Sequence, residues 1–395
     1  MPDVFDREEG FLLNALASRF FPSHPFPDPP ADLDWERLHT LLKHHRLGAH
    51  FYVLGKSQRA GWPVAFRERL RLEYYSLMCF GDHWLGQIKL ILSTLNEAGI
   101  PVIVLKGWAV IQTVYEGDYS QRVYDDMDIL VHPKDVNAAA LILEKLGWKV
   151  VERRPGFDRR YFNAQAYYHG EQSLFLGRVF LIGFHWGLLR HPVYDPKQID
   201  VGVLFERAHP LEIAGIPILE LSIEDHIVYN CAHIVLHHHS DVGWYRYYEL
   251  AAAIKKAGVG LDWQRVLQNA TDWKLILPLQ KVSKRIEEYW PEVLPDAVSI
   301  SIERLEPALS ERLIQVWYEK TNNSLVSEHI ITWLAMPGIK KRISFILEDV
   351  FPDRAYMTKY YGKAPGGVWP LLYFRRYYYL IRKFFGTIFL RGKAD

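Results

Sequence analysis

The stretch RVYDDMDILV, residues 122–131, sets Asp125, Asp126 and Asp128 at the lip of an apolar run. Ile129, Leu130 and Val131 read as the buried part of a strand. Alternate residues of a strand project to the same side, so Asp126 and Asp128 point together while Asp125 and Met127 face the other way. Two carboxylates side by side repel, and burying both without a counter-charge is costly. A divalent cation relieves that cost. Mg²⁺ suits the pair, with Mn²⁺ as the alternative, because it takes hard oxygen ligands and commonly uses one or two carboxylates together with substrate phosphates. Asp-x-Asp alone is common and fits a solvated acidic turn as well, so its surroundings decide the reading.

Upstream, IPVIVLKG (residues 100–107) reads as a short buried strand that closes at Lys106 and Gly107. WAVIQTVYEG then reads as a helix that stops at Gly117. Such a junction offers unpaired backbone N–H groups and a helix dipole, both of which favour phosphate. Gly107 allows close approach of a ligand, and Lys106 adds a positive charge at the same edge. Arg122 is placed either to hold a phosphate or to pair with Asp125. MDILV is a second strand, and HPKDVNAAALILEKLGW a helix with Asp135 in its first turn and Gly147 as its stop. KVVE starts a further strand; QAYYHG and SLFLGRVFLIGFHWGLL read as antiparallel strands with a turn near Gly170 and Glu171.

The flanks read as helical. DLDWERLHTLLKHHRLGAHFYVLGK carries Leu38, Leu41, Leu42, Leu47 and Phe51 close to helical spacing, with Asp34 as its cap. AFRERLRLEYYSLMCFGDHWLGQIKLILSTLNEAG extends over about nine turns and ends at Gly99. RHPVYDPKQIDVG reads as a loop into a second helical part, where SIEDHIVYNCAHIVLHHH opens with a capping box from Ser222 to Asp225. The expected organisation is α+β: a helical region over 1–99, a small mixed-sheet core over 100–215, and a helical region over 216–395 ending in a basic aromatic tail.

With 395 residues and a formal net charge of +1, the chain has no global attraction to nucleic acid, which is not expected as a partner. Cys79 and Cys231 form no C-x-x-C pair, so neither a disulfide framework nor a cysteine zinc site is expected. The start lacks a signal pattern, and no uncharged apolar run reaches a membrane-spanning ~18 residues; a cytoplasmic location is the expectation. His226, His233 and His237 lie on one helical face, but without H-E-x-x-H they read better as a polar face or cleft lining than as a zinc site. Arg246 and Glu249, three apart on a helix, read as an ion pair. The tail WPLLYFRRYYYLIRKFFGTIFLRGK (369–393) suits either contact with an anionic membrane surface or packing on the body with snorkelling Arg and Lys. Its basic residues share no clean face, which favours packing.

VIVLKGWAVIQTVY, followed by RVYDDMDILVHPKDVNAAALILEKLGW, resembles the uncharacterised nucleotidyltransferase family of the DNA polymerase beta-like superfamily. The shared pattern is L-K-G, then R-x-x-D-x-D-x-L-V, then a helix ending in L-x-x-x-G-aromatic. LDWERLHTLLKHHRL, FHWGLL, LSIEDHIVYNCAHIVLH and VFPDRAYM resemble further family segments, so the resemblance covers most of the chain. It implies a small mixed sheet carrying a two-metal nucleotidyl-transfer site. Asp126 and Asp128 match the metal ligands and catalytic acids; Lys106 and Gly107 match the position that cradles the phosphates of an NTP, with Arg122 in support. It also implies a third carboxylate just before the H-W pair, where this chain has Gly183 in LIGFHW. His185, two residues on, faces the same side and is the remaining catalytic candidate, although histidine is a poorer Mg²⁺ ligand than a carboxylate; either one well-held metal suffices, or another acid such as Glu152 or Glu171 substitutes, or the domain is a weakened relative. The expected function is transfer of a nucleoside monophosphate from an NTP to a small-molecule or protein acceptor. The alternative is a weakened relative that acts as a binding or scaffold protein.

Overall fold

The computed structural model describes residues 5–21, 24–150, 171–177, 180–189, 199–237, 243–312, six single positions between 339 and 357, and 371–378. The chain divides into two compact units, one of Met1–Val150, Gly170–His191 and Pro196–Lys320, the other of Val151–His169, Pro192–Asp195 and Thr321–Asp395.

The first unit is built on a mixed sheet. Its strands are β1 (Val102–Leu105), β2 (Met127–Val131), β3 (Lys149–Val150), β4 (Glu171–Leu176), β5 (Phe180–His185), β6 (His209–Ile213) and β7 (Ile216–Glu220). Among the described residues their order is β3-β4-β5-β2-β1-β7-β6. β2 runs parallel to β5 and β1 parallel to β7; the other neighbours are antiparallel. Every residue of β1 and β2 is buried. That explains why the two strands read as unbroken apolar runs rather than alternating ones: central strands covered on both faces have no wet side.

The expected turn near Gly170 and Glu171 is at the edge of what the structure describes: Gly170 lies outside the described residues and Glu171 begins β4. β4 and β5 pair from Glu171–His185 to Leu176–Phe180, and the chain reverses after β4 at Gly177, whose φ of +64° suits glycine. QAYYHG lies outside the described residues. A second hairpin, β6–β7, was not expected. Its turn, Ala214 and Gly215, has positive φ at both residues (+54° and +83°), as a two-residue hairpin of the primed type requires. Alanine rarely enters that region, so no turn signal marks the spot. The hairpin matters because β7 docks parallel to β1, Ile103 opposite Leu219.

Helices surround the sheet: α1 (Arg7–Ala17), α2 (Trp35–His44), α3 (Gly48–Leu54), α4 (Val64–Glu97), α5 (Gly107–Thr113), α6 (Val136–Lys145), α7 (Val201–Arg207), α8 (Ile223–Ala232), α9 (Trp244–Ala257), α10 (Trp263–Asp272), α11 (Ile276–Tyr289) and α12 (Asp296–Arg304). α8 continues into a π-helical segment, His233–His237. The Asp34 carboxylate caps α2 by accepting the N–H groups of Glu36 and Arg37. α4 brings Trp84 edge-on to Phe180 of β5, with ring centroids 4.8 Å apart. α1 and the segment after it share a core with α9 and the end of α11. Phe20 meets Tyr248 and Trp290 at 5.7 and 5.5 Å, and the Trp290 indole N–H donates to the Leu13 carbonyl at 3.0 Å.

In the second unit residues 371–378 are helical, and Phe351 packs on Tyr373 and Tyr377 at 6.0 and 6.5 Å. Arg375 is exposed and Arg376 buried. Arg382, Lys383, Arg391 and Lys393 of the tail lie outside the described residues, as does Glu152. Among the described residues no helix is long and apolar enough to cross a membrane.

His50 on α3 ties the helical layer to the loop before β2. Its Nδ1–H donates to Gln121 Oε1 at 2.9 Å and its Nε2 accepts from the Tyr248 hydroxyl at 2.8 Å, a pattern that suits the neutral ring. Burial lowers its pKa to about 4. Burial does the same to His45, which stacks on Trp244 with centroids 4.1 Å apart. Both histidines titrate near 6.5 when unfolded. Between that pH and about 4 the unfolded chain therefore binds more protons, and stability falls as pH drops through this window. Urea unfolding at pH 7 and pH 5 is expected to show His50 accounting for roughly 2 kcal/mol of the loss, so His50→Gln should flatten the pH dependence. Equal slopes for the two proteins would contradict this account.

Candidate functional site

Leu105, the last residue of β1, lies opposite Asp128 in β2. The next residue, Lys106, turns the chain into α5 with φ +47° and ψ −139°. A side chain in that region costs on the order of 1–3 kcal/mol and persists only where its surroundings hold it. Here they do: Lys106 Nζ lies 2.9 Å from Asp128 Oδ2, with both side chains about one-tenth exposed or less. The strained corner thus places a buried ammonium on a buried carboxylate.

Asp128 is also opposite Gly183 of β5, in parallel register. His185, two residues further along β5, reaches back so that its Nε2 lies 3.0 Å from Asp128 Oδ1. Gly183 makes this contact possible. A Cβ there would stand 2.2 Å from Asp128 Oδ1 and 2.9 Å from His185 Nε2. Burial would raise the Asp128 pKa, but the Lys106 charge and the hydrogen bond to His185 overcome it and hold the carboxyl well below the usual range. For Lys106, burial opposes the charge and Asp128 restores it, so the ammonium is secured.

Asp126 stands just before β2 in a different setting. It is half-buried and has no hydrogen-bond or ion-pair partner among the described residues. Burial and then the negative charge of Asp128 push its pKa up to about 6, against the pull of Lys106 and Arg122. The two acids therefore act on each other and on the same lysine. Two carboxylates against one ammonium leave this centre short of positive charge, and the unengaged carboxylate is Asp126.

Arg122 does not pair with Asp125. Its Nε donates to Glu249 Oε1 at 2.6 Å and its Nη2 to Glu249 Oε2 at 3.3 Å, while the Tyr115 hydroxyl donates to the same Oε1 at 3.1 Å. Asp125 is exposed and pairs with Arg46 at 2.8 Å. Gly107 is where Arg122 passes, since a Cβ there would lie 3.3 Å from Arg122 Nη1. The expected Arg246–Glu249 pair is likewise replaced: Glu249 belongs to Arg122, and Arg246 Nη1 faces His233 Nδ1 at 3.4 Å. The physical reason is depth. A bidentate pair in the interior captures the carboxylate that helical spacing would have assigned to its neighbour on the same helix.

A second wall comes from the π-helical segment and α9, where His233 and His237 take the cleft-lining place that the sequence offered them; the π-helical winding was not foreseen. His233 Nε2 lies 2.9 Å from Lys106 Nζ, and the His233 ring stacks on His237 with centroids 4.9 Å apart. The break from α- to π-helical winding moves these histidines off a regular face; π-turns often mark functional sites. Burial lowers the His226 pKa to about 4, which keeps that ring neutral. Among the described residues no group of three or more His, Cys, Asp or Glu side chains is placed to hold a metal. The Glu171 backbone lies opposite His185, but its side chain is outside the described set.

A family model described as "Uncharacterised nucleotidyltransferase" matches residues 31–291. No curated protein matches the chain. Among solved structures, it is similar to a crystal structure of ANT(2")-Ia in complex with adenylyl-2"-tobramycin, at 17% identity and a TM-score of 0.33, over 51% of this chain and 98% of the other. It is also similar to a solution structure of antibiotic-resistance factor ANT(2'')-Ia, at 16% identity and a TM-score of 0.33, over 52% of this chain and 95% of the other.

The close approach at Gly183 has a measurable consequence. Gly183→Ala is expected to destabilise the fold by ~1–3 kcal/mol through overpacking. Gly86→Ala, on the exposed side of α4 with nothing within 4 Å of the added methyl, should stabilise by up to ~1 kcal/mol. Urea unfolding of the two variants checks both signs, and a neutral Gly183→Ala would refute the packing described.

Proposed function

The chain belongs to the uncharacterised nucleotidyltransferase family, and from that premise we propose that it moves a nucleoside monophosphate from an NTP to a small-molecule or protein acceptor, with Mg²⁺ held by Asp126 and Asp128. The observation that carries the reading is the setting of Asp126: a half-buried carboxylate beside Asp128 with no hydrogen-bond or ion-pair partner among the described residues. Such a seat fits one divalent cation, since Mg²⁺ takes one or two carboxylates and completes its shell with water and phosphate oxygens. When bound, the cation would draw negative charge off the phosphate oxygens as the α–β bond breaks.

The rest of the chemistry belongs to the chain's own side chains. An acceptor oxygen forms the new bond to the α-phosphorus, the α–β phosphoanhydride bond breaks, pyrophosphate leaves, and the acceptor proton passes to water. Lys106 supplies a fixed positive charge at the phosphates from beside Asp128. His185 holds Asp128 in one orientation through Oδ1. Arg122, bound on both forks to Glu249, braces the loop that carries Asp126 and stands behind Gly107. Preorganised charges of this kind need no rearrangement as the reaction proceeds.

A second reading, a weakened relative that binds nucleotide without transferring it, is favoured by one observation. Gly183 stands directly across from Asp128 where the family resemblance calls for a third carboxylate, and the space a side chain would need is filled.

Incubation with each NTP, labelled at the α-phosphate, together with Mg²⁺ and a cell extract is expected to move label onto an acceptor and release pyrophosphate. Asp126→Asn should reduce this by more than about 100-fold while leaving the melting temperature near wild type, because the Asp126 side chain has no hydrogen-bond or ion-pair partner among the described residues. Nucleotide binding with no pyrophosphate release over many acceptors would instead support the second reading. An Asp126→Asn protein that turns over like wild type would end the catalytic assignment.

A further inference from the structure

Three guanidinium groups gather around the ring of Tyr245, with Arg46, Arg122 and Arg246 at 6.0, 5.5 and 5.1 Å from its centroid. Two of them are neutralised: Arg46 by Asp125 at 2.8 Å, and Arg122 by the bidentate contact with Glu249. Arg246 has no carboxylate partner among the described residues. It is half-buried, and its polar contact is His233 Nδ1 at 3.4 Å. The other nitrogen of that ring lies 2.9 Å from Lys106 Nζ, which in turn lies 2.9 Å from Asp128 Oδ2. Arg246, His233 and Lys106 thus form a row of basic groups that ends at the acidic centre.

Fold stability does not account for this row. Its two cations repel, and Arg246 sits in the first turn of α9, where the helix dipole disfavours positive charge. A guanidinium offers five N–H donors in a flat fork that matches pairs of phosphate oxygens. A neutral imidazole has one ring lone pair, so His233 cannot accept from Lys106 and Arg246 at once. The fork of Arg246 therefore keeps donors for a guest, at the end of the row away from Asp128.

We propose that Arg246 is a substrate-positioning residue that grips the β- and γ-phosphates of the NTP, the part that leaves as pyrophosphate. This deepens the nucleotidyl-transfer reading and rests on it. Asp126, Asp128 and Lys106 serve the α-phosphate end, and Arg246 serves the polyphosphate tail, so the row orients the leaving group away from the acceptor. Selectivity follows from the same geometry: a nucleoside triphosphate or free pyrophosphate engages Arg246, and a nucleoside monophosphate does not reach it.

The test is calorimetric titration of the full chain, in Mg²⁺, with the four nucleoside triphosphates as non-reacting α,β-methylene analogues, with the matching monophosphates, and with pyrophosphate. Losing charge-assisted hydrogen bonds of ~1.5–3 kcal/mol corresponds to about 10- to 100-fold. Arg246→Gln is therefore expected to weaken the triphosphate and pyrophosphate by that factor and the monophosphate by less than about twofold. Arg246→Lys should recover part of the loss, because it keeps the charge without the fork. If the glutamine variant melts early, the lysine variant carries the test, with a several-fold loss confined to the triphosphate and pyrophosphate. Unchanged triphosphate affinity, or an equal loss for monophosphate, overturns the proposal and leaves the nucleotidyl-transfer reading standing. A wild-type protein that binds none of the three ligands overturns both.

Discussion

The buried charge of Asp128 organises the site and much of the sheet around it. A carboxylate this deep is tolerated only if its oxygens are engaged, and both are: Oδ2 by Lys106 from the end of β1, Oδ1 by His185 from β5. Three adjacent strands are thereby tied at one edge by side chains as well as by their backbone ladders. The strained backbone of Lys106 and the bare backbone of Gly183 follow from the same need. One turns a long side chain inward at a strand end; the other leaves room for two side chains to meet.

A second buried pair does related work a few residues away. Arg122 and Glu249 join the loop before β2 to α9, and Tyr115 adds a hydrogen bond to the same carboxylate. His50 reaches the same two regions through Gln121 and Tyr248. The loop that presents Asp126 is held from both sides by polar contacts whose geometry is specific, in a layer that is otherwise aromatic. Interior ion pairs add little net stability, and removing one partner is far more costly than replacing both. Their effect here is to leave Asp126 one setting and to leave Arg246 without the acid that its helix offers.

Legibility in the sequence followed range. Asp34 capping α2, the long α4 closed near Gly99, and the two buried strands around the acidic motif are local patterns, and each is found where the sequence placed it. The β6–β7 hairpin escaped because its tight turn uses an alanine at positive φ. The reversal at Gly177 escaped as well, because a glycine inside the apolar run SLFLGRVFLIGFHWGLL marks a turn only once the pairing partner is known. Among the site residues, the side Asp128 shares with His185 could be read from strand alternation. The partners of Arg122, Glu249 and Arg246 could not: Arg122 and Glu249 meet in the interior 127 residues apart in sequence, and Arg246 turns to His233 once Glu249 is taken.

What the sequence alone determined is the chemistry on offer: a D-x-D pair on a strand edge, a lysine–glycine corner, and a glycine where an acid would complete the set. Period-two alternation and turn residues act over a few positions, so they survive in one dimension. What only the tertiary structure decided is the distribution of charge. Among the described residues Asp128 and Arg122 have ion-pair partners, and Asp126 and Arg246 have none. That outcome depends on burial and on contacts between segments, where a difference of a few ångströms in depth selects which of two identical groups meets an opposite charge.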